Sequence, residues 1–420
     1  MKSKHVAPFP SACAPQHIMP RAASCALCSV MLASGGRLVS RADIAALMLV
    51  LLLPAACARG PEAPFAAPSR PAGIAALRLA DWQPVPLLAL ERTAITHLAV
   101  PAVDVHTHLR RVVDVAAEVA RMDAFHVETL VNLDGSSGKR LLRELERFDR
   151  AYPGRFLTYA NLDLALVGAP GWGERVAAQL ATDFDAGAKG LKIFKELGLT
   201  VRTPDGRRVA LDSPELEPVW RTCARYRRPV LWHVADPAAF FAPLDAKNER
   251  WHELHEFPGW SFADRTRFPT RARLFEERNR VIERHPDVTF VGAHMGSSSE
   301  DLKQLAGWLD RFPNLQVDMS ASISELGRQP RAAHRFFVRY QDRVLFGTDL
   351  KSAKTAGYEV YARFLETDDD YFDTEAANGR QGFWRIYGMR LPAPVLQKIY
   401  RDNARRLLWP ADPDRLAAQP

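Results

Sequence analysis

Only one cysteine, Cys223, lies beyond residue 57 of this 420-residue chain, so no intramolecular disulfide can staple its body. The other four, Cys13, Cys25, Cys28 and Cys57, sit near the N-terminus. Cys223 falls inside a helical pattern and reads as a small core residue rather than a nucleophile. No Gly-x-Gly-x-x-Gly follows the first apolar run, which removes the signature of a dinucleotide-binding open sheet. No fixed-period repeat is visible, and no apolar run is long enough to span a bilayer as a stable helix. The formal net charge of +7 is misleading. Five of the 56 basic residues and one of the 49 acids fall within 1–57, leaving +3 on the rest. No basic block interleaved with aromatics occurs there, so nucleic acid is not an expected partner.

The N-terminus carries addressing information. Arg37 and Arg41 precede the apolar run Ile44–Leu53, and small residues follow at Ala55, Ala56 and Ala58. This order predicts an export signal over residues 1–57, with Met31 as an alternative start. Leu53-Pro54-Ala55-Ala56-Cys57 resembles a bacterial lipobox, in which the cysteine is lipidated. Pro54 is atypical there, and cleavage after Ala58 or an uncleaved anchor are the other readings. The expected location is the periplasm of a bacterium, or its membrane through lipidated Cys57. Residues 58–97 form an N-terminal extension whose first part, with Pro61, Pro64, Pro68 and Pro71, reads as an extended tether.

From Leu98 onward, short apolar runs alternate with amphipathic stretches. The runs are Leu98–Val105, Glu128–Leu133, Phe156–Leu162, Gly190–Phe194, Pro229–Val234, Val288–Ala293, Leu315–Met319 and Val344–Gly347. Strands separated by helices must pair in parallel through crossovers. Eight units of this size predict an α/β fold, a (β/α)8 barrel over residues 98–410, with a short tail at 411–420. Two connections exceed ordinary length: Gly198–Asp212 and a lid-like insertion at 235–269, rich in aromatics. That insertion reads either as a pocket cover or as a satellite apolar cluster.

The chemistry concentrates at strand ends. Asp104-Val105-His106-Thr107-His108 closes the first run and places two imidazoles two residues apart, on one face of a strand. His233, His294 and Asp349 close the fifth, sixth and eighth runs. Barrel strand ends line the catalytic mouth, so all five can converge there as nitrogen and oxygen donors for a divalent ion such as zinc.

These marks resemble the amidohydrolase superfamily, within it the amidohydrolase-related branch that includes aminocarboxymuconate-semialdehyde decarboxylase-like proteins. They are Asp-Val-His-Thr-His at 104–108, strand-end His233, Gly-Ala-His at 292–294 and Phe-Gly-Thr-Asp at 346–349. The resemblance implies metal ligation by His106, His108, His233 and Asp349, and metal ligation or proton transfer by His294. Chemically, Asp349 can also accept a proton from water while remaining a ligand, and so is expected to act as the general base. Asp104 is expected to orient a ligand imidazole or to make an ordinary polar contact. Gly190-Leu191-Lys192-Ile193-Phe194 is similar to a segment of hydantoinase-like relatives whose lysine is carbamylated and bridges two metals. Lys192 and His294 are therefore expected metal ligands if the site is binuclear; one ion, with Lys192 a plain amine, is preferred. Ser297-Ser298-Ser299-Glu300 fits a capping box for the next helix. His252 and His255 read as packing residues of the insertion, and His126, His285 and His334 as structural or solvated.

The expected function is metal-dependent hydrolysis of an amide, cyclic amide, lactone or ester of a small molecule. Decarboxylation of an aromatic or unsaturated acid is the alternative, and a silent surface-tethered binding protein is a third reading. A homodimer is left open.

Overall fold

The computed structural model describes residues 76–409. The expected export signal over residues 1–57, with Cys57, most of the expected Pro-rich tether and residues 411–420 lie outside the described residues. Among the described residues, no helix is long and apolar enough to cross a membrane.

The apolar runs form short strands, all paired in parallel: β1 (Ala102–Thr107), β2 (Val127–Asn132), β3 (Phe156–Thr158), β4 (Ala160–Asn161), β5 (Leu191–Ile193), β6 (Val230–Trp232), β7 (Phe290–Gly292), β8 (Leu315–Asp318) and β9 (Val344–Leu345). The expected third strand is broken at Tyr159 into β3 and β4. Tyr159 N–H donates to Asn132 C=O, and Ala160 N–H turns to Gly190 C=O on the other side. The first and last strands are also joined. Val105 N–H donates to Phe346 C=O at 3.0 Å, Asp349 N–H to His106 C=O at 2.8 Å, and His108 N–H to Leu350 C=O at 2.9 Å. Helices such as Trp172–Ala186, Arg271–Arg284 and Pro330–Arg339 cross between successive strands. This is the (β/α)8 arrangement that the alternating pattern predicts.

Two apolar layers follow from the strand period of two. Val103, Val105, Val131, Leu157, Leu231, Val291 and Leu345 form an inner cluster, joined by Ala404 and Leu408 of the C-terminal helix Asn403–Leu408. Leu130, Phe156, Leu191, Trp232, Phe290 and Val344 belong to the outer cluster, which also holds helix residues such as Leu180, Trp220 and Leu305.

One local expectation needs correction, and another is decided between its two readings. The helix after β7 starts at Leu302 and is capped by Asp301, whose carboxylate accepts from Gln304 N–H at 2.9 Å. The stretch Ser297–Glu300 does not cap it, because residues 294–297 are held in a left-handed turn. Glu300 instead accepts from Ala238 N–H and pairs with Arg271. The other concerns Asp104, which makes the ordinary polar contact of its second reading, because the register of β1 against β2 shifts between Asp104 and Thr107. Such a bulge breaks strict alternation. Asp104 consequently leaves the imidazoles and accepts from Tyr358 Oη (2.7 Å), Thr348 Oγ1 (2.5 Å) and the N–H groups of His106 and Thr348.

Complete burial pushes the Asp104 carboxyl up to about 7, against the lowering effect of those donors. Every neighbour donates, so an amide NH2 cannot replace the oxygen facing Thr348 and Tyr358. Asp104→Asn should cost about 3 kcal/mol, read as a lower urea midpoint at unchanged m. Because the folded-state pKa lies above the unfolded value, this carboxyl's contribution is fully present at low pH. It is lost as pH rises from about 4 to about 7.

Candidate metal centre

Strand ends deliver the polar side chains to one mouth. His106 is fully buried, and its Nδ1 lies 3.0 Å from Asp318 Oδ2 and 2.9 Å from Ser320 Oγ. His108 Nδ1 lies 2.9 Å from Asp134 Oδ1. A carboxylate at Nδ1 fixes the proton there and leaves the Nε2 lone pair outward. Both outward nitrogens meet one acid: Asp349 Oδ1 is 3.1 Å from His108 Nε2 and 3.6 Å from His106 Nε2. His106, His108 and Asp349 thus offer two nitrogens and one oxygen, all within 4.8 Å of one another. That donor set suits a borderline divalent ion, and the two carboxylates behind the imidazoles complete the pattern seen around metal-ligating histidines.

A second group of His106, His294 and Asp318 shares His106. His294 Nδ1 faces Ser320 C=O at 2.9 Å, and its Nε2 faces His233 Nδ1 at 3.3 Å. His233 is not drawn into either group. Its other nitrogen, Nε2, lies 3.4 Å from Asp236 Oδ1, and Lys195 Nζ closes on the same carboxylate at 2.7 Å. Lys192 is buried on β5 with Nζ 3.2 Å from His106 Nε2, on the lone pair a metal would use.

Electrostatics separates these groups by role. Burial alone would depress His108, yet the hydrogen bonds and charges of Asp134 and Asp349 hold it at about 9. Burial would raise Asp349, but its hydrogen bond to His108 and the nearby His106 and His294 keep it well below the usual carboxylate range. Burial and the charge of His233 push His294 down to about 4. Burial lowers Lys192 to about 8, opposed by Asp318 and Asp349.

The backbone here is unusual. His294, Met295, Gly296 and Ser297 have φ of 55°, 56°, 61° and 55°, and Asp349 has 65°. Left-handed geometry costs a non-glycine residue roughly 1–2 kcal/mol. Asp318 Oδ1 accepts from His294 N–H at 3.1 Å and offsets part of that cost. Such strain marks positions where the side chain's direction is what matters.

Above the donors lies a cavity of about 430 Å³, lined by His233, Asp236, His294, Asp349, Lys195, and Phe240 and Trp260 of the 235–269 insertion. Elsewhere in that insertion Phe241, Phe262 and Phe268 pack on one another, with centroids 5.4 Å and 5.1 Å apart. The insertion is therefore both pocket wall and apolar cluster. Its histidines pack on aromatics, His252 on Phe383 and His255 on Trp251. His334 binds Met389 C=O, His285 pairs with Glu217, and His126 packs at a tilt against His97.

The residues that sequence reasoning missed are Asp134, Asp318, Ser320 and Asp236. Asp318 had a signal, since it ends an apolar strand run as Asp349 does. Asp134 and Asp236 lie on loops with no periodicity to mark them.

With this geometry in place, comparison with known proteins gives the family. The amidohydrolase family model Amidohydro_2 matches residues 103–408, and the chain belongs to that enzyme family, part of a metal-dependent superfamily. No curated protein matches. Solved structures similar to it include an uncharacterized TIM-barrel protein from Bordetella bronchiseptica, at 18% identity over 70% of this chain and 82% of that one, TM-score 0.46. Another is 2,6-dihydroxybenzoate decarboxylase from Rhizobium, at 19% identity over 74% and 98%, TM-score 0.46. A third is 5-carboxyvanillate decarboxylase from Sphingomonas paucimobilis, at 18% identity over 70% and 83%, TM-score 0.41.

Proposed function

We propose that this chain is a metal-dependent hydrolase of a small molecule with an amide, cyclic amide, lactone or ester carbonyl. His106, His108 and Asp349 would hold one divalent ion, with zinc the first choice for this donor set. When bound, the ion would polarise a carbonyl and acidify a water. The observation that carries the reading is that Asp349 and His294 both face the cavity in proton-accepting form. Two acceptors beside the donor atoms suit removal of a proton from water. His233, backed by Asp236, would orient His294. Lys192 would remain an amine that neutralises the acids around it until an ion does so.

A second reading, decarboxylation, is favoured by a different observation. Lys351 and Lys354 line the same cavity, and neither makes an ion pair among the described residues. Cations with no internal partner suit a substrate carboxylate. One experiment separates the two. Protein loaded with zinc or manganese is given amides, lactones, esters and unsaturated or aromatic acids, while acid release and carbon dioxide are both followed. Hydrolysis without carbon dioxide supports the first reading, and carbon dioxide release replaces it with the second. Metal analysis in the same samples should give about one ion per chain. Two ions, one of them lost in Lys192→Ala, would assign Lys192 to a bridge.

The Arg-flanked apolar run Ile44–Leu53 and the small residues after it are the ground for a further part of the proposal, an exported enzyme working outside the cytoplasm on a diffusible substrate. Mass spectrometry of the mature N-terminus tests it: an acylated Cys57 means a tethered enzyme, a start at Arg59 a secreted one, and an intact Ile44–Leu53 refutes export processing.

A further inference from the structure

Arg278 is an awkward charge among the described residues. It lies on the helix Arg271–Arg284 and is 1% exposed, yet it makes no ion pair among the described residues. Burial, with a smaller contribution from neighbouring Arg271, lowers its guanidinium to about 9. Its Nε and Nη2 donate to Asn279 Oδ1. The rings of Trp308 and Phe275 flank it at 4.1 Å and 4.9 Å. A buried cation without a counter-ion is costly, and an apolar residue of similar size would pack here more favourably.

What the guanidinium reaches explains its presence. Nη1 donates to Gly296 C=O at 2.9 Å, in the middle of the left-handed turn that carries His294. The turn folds back so closely on β7 that a Cβ on Gly292 would meet Gly296 Cα at 2.9 Å. The turn is also held at both ends, by His294 N–H donating to Asp318 Oδ1 at 3.1 Å and through Ser297, whose C=O accepts from Arg271 and whose Oγ donates to Ala235 C=O at 3.1 Å, while a side-chain donor on the carbonyl of Gly296 comes from Arg278. Arg278 thus grips the apex of the turn from the side away from the cavity, two residues beyond His294.

We propose that Arg278 is a positioning residue that holds the left-handed turn 294–297, and through it fixes the His294 ring against His233 and beside the cavity. This rests on the reading of His294 as a cavity-facing reactive group. Trp308 and Phe275 shield the guanidinium so that its donor stays on Gly296. Arg278 itself touches neither substrate nor the His106–His108–Asp349 donors.

The test uses the full chain carrying Arg278→Met and Arg278→Lys. Methionine keeps the bulk and apolar contacts and removes the donor; lysine keeps one donor. Arg278→Met should keep the full metal content of wild type and a KM within a factor of about two, while kcat falls roughly tenfold to a hundredfold, as a displaced reacting group costs. Arg278→Lys should restore most of the lost kcat. Amide exchange over 293–299 should speed up roughly tenfold in Arg278→Met alone, with helix Leu302–Arg311 unchanged. The exchange measurement needs no substrate, so it stands even if neither hydrolysis nor decarboxylation is found. Unchanged exchange and unchanged kcat in Arg278→Met overturn the proposal. So does a kcat loss that follows metal loss, or one that lysine does not relieve. If the methionine variant fails to fold, Arg278→Gln, too short to reach Gly296, takes its place: faster exchange and a lower kcat at full metal content support the proposal, and wild-type exchange or wild-type kcat refutes it.

Discussion

Asp349→Asn should lose metal and turnover together. Asparagine matches aspartate in shape and tolerates the left-handed φ of 65° at this position, so the fold has no reason to fail. What disappears is the charge that both imidazoles face, at 3.1 Å and 3.6 Å. With it goes the anionic oxygen donor of the cluster, replaced by a weaker neutral amide oxygen, and a proton acceptor of the cavity. Turnover should fall roughly a thousandfold or more, the combined effect of a lost ion and a lost base. Metal analysis after dialysis, steady-state rates and circular dichroism check the three parts. Full metal content in this variant would remove Asp349 from the centre. A pH dependence follows from His108, which the two acids hold at about 9. A ligand imidazole must be neutral, so binding releases a proton. Apparent metal affinity should therefore rise about tenfold per pH unit below 9, then level off. In Asp349→Asn that rise should level off at a lower pH.

His294→Asn should separate metal from catalysis. Asparagine again accepts the left-handed backbone, where alanine would add strain. The three-donor group His106, His108 and Asp349 does not include His294, so at least one ion should remain. Turnover should fall roughly a hundredfold, the usual effect of removing a general acid–base group. Because burial and His233 keep the imidazole neutral down to about pH 4, the wild-type rate should show no loss from this group between pH 5 and 8. Loss of all metal from the variant would make His294 an obligatory ligand. An unchanged rate would remove it from the reaction.

The barrel and most of the strand-end residues are legible in the sequence for one reason. Parallel strands buried on both faces leave continuous apolar runs, and a polar residue that ends such a run stands out. His106, His233, His294 and Asp349 are of this kind. The pattern fails where local backbone departs from regular geometry. The bulge in β1 takes Asp104 off the face that alternation gives it, and the left-handed turn after β7 pushes the helix start from Ser297 to Asp301. Residues supplied by loops were also hidden. Asp134 backs His108 and Asp236 backs His233, yet neither has a periodic neighbour to announce it. Nor could spacing show that His233 faces His294 and Asp236 instead of the donors gathered around Asp349, since that is a matter of side-chain direction.

The contact between Asp104 and Thr348 spans 244 residues of chain, and the donor atoms straddle the same seam between the first strand and the last. Such a distant pairing can form only after the intervening loop has lost its freedom, so the seam is among the last parts of the body to assemble. During synthesis, residue 106 must wait for nearly the whole body before Asp349 can join it. Premature capture of an ion by a half-made chain is thereby disfavoured. Once assembled, an ion gripping both sides would act as a clasp on the ring. Its main effect on durability should be on the rate of opening, so loaded protein should outlast empty protein against protease by more than their melting temperatures suggest.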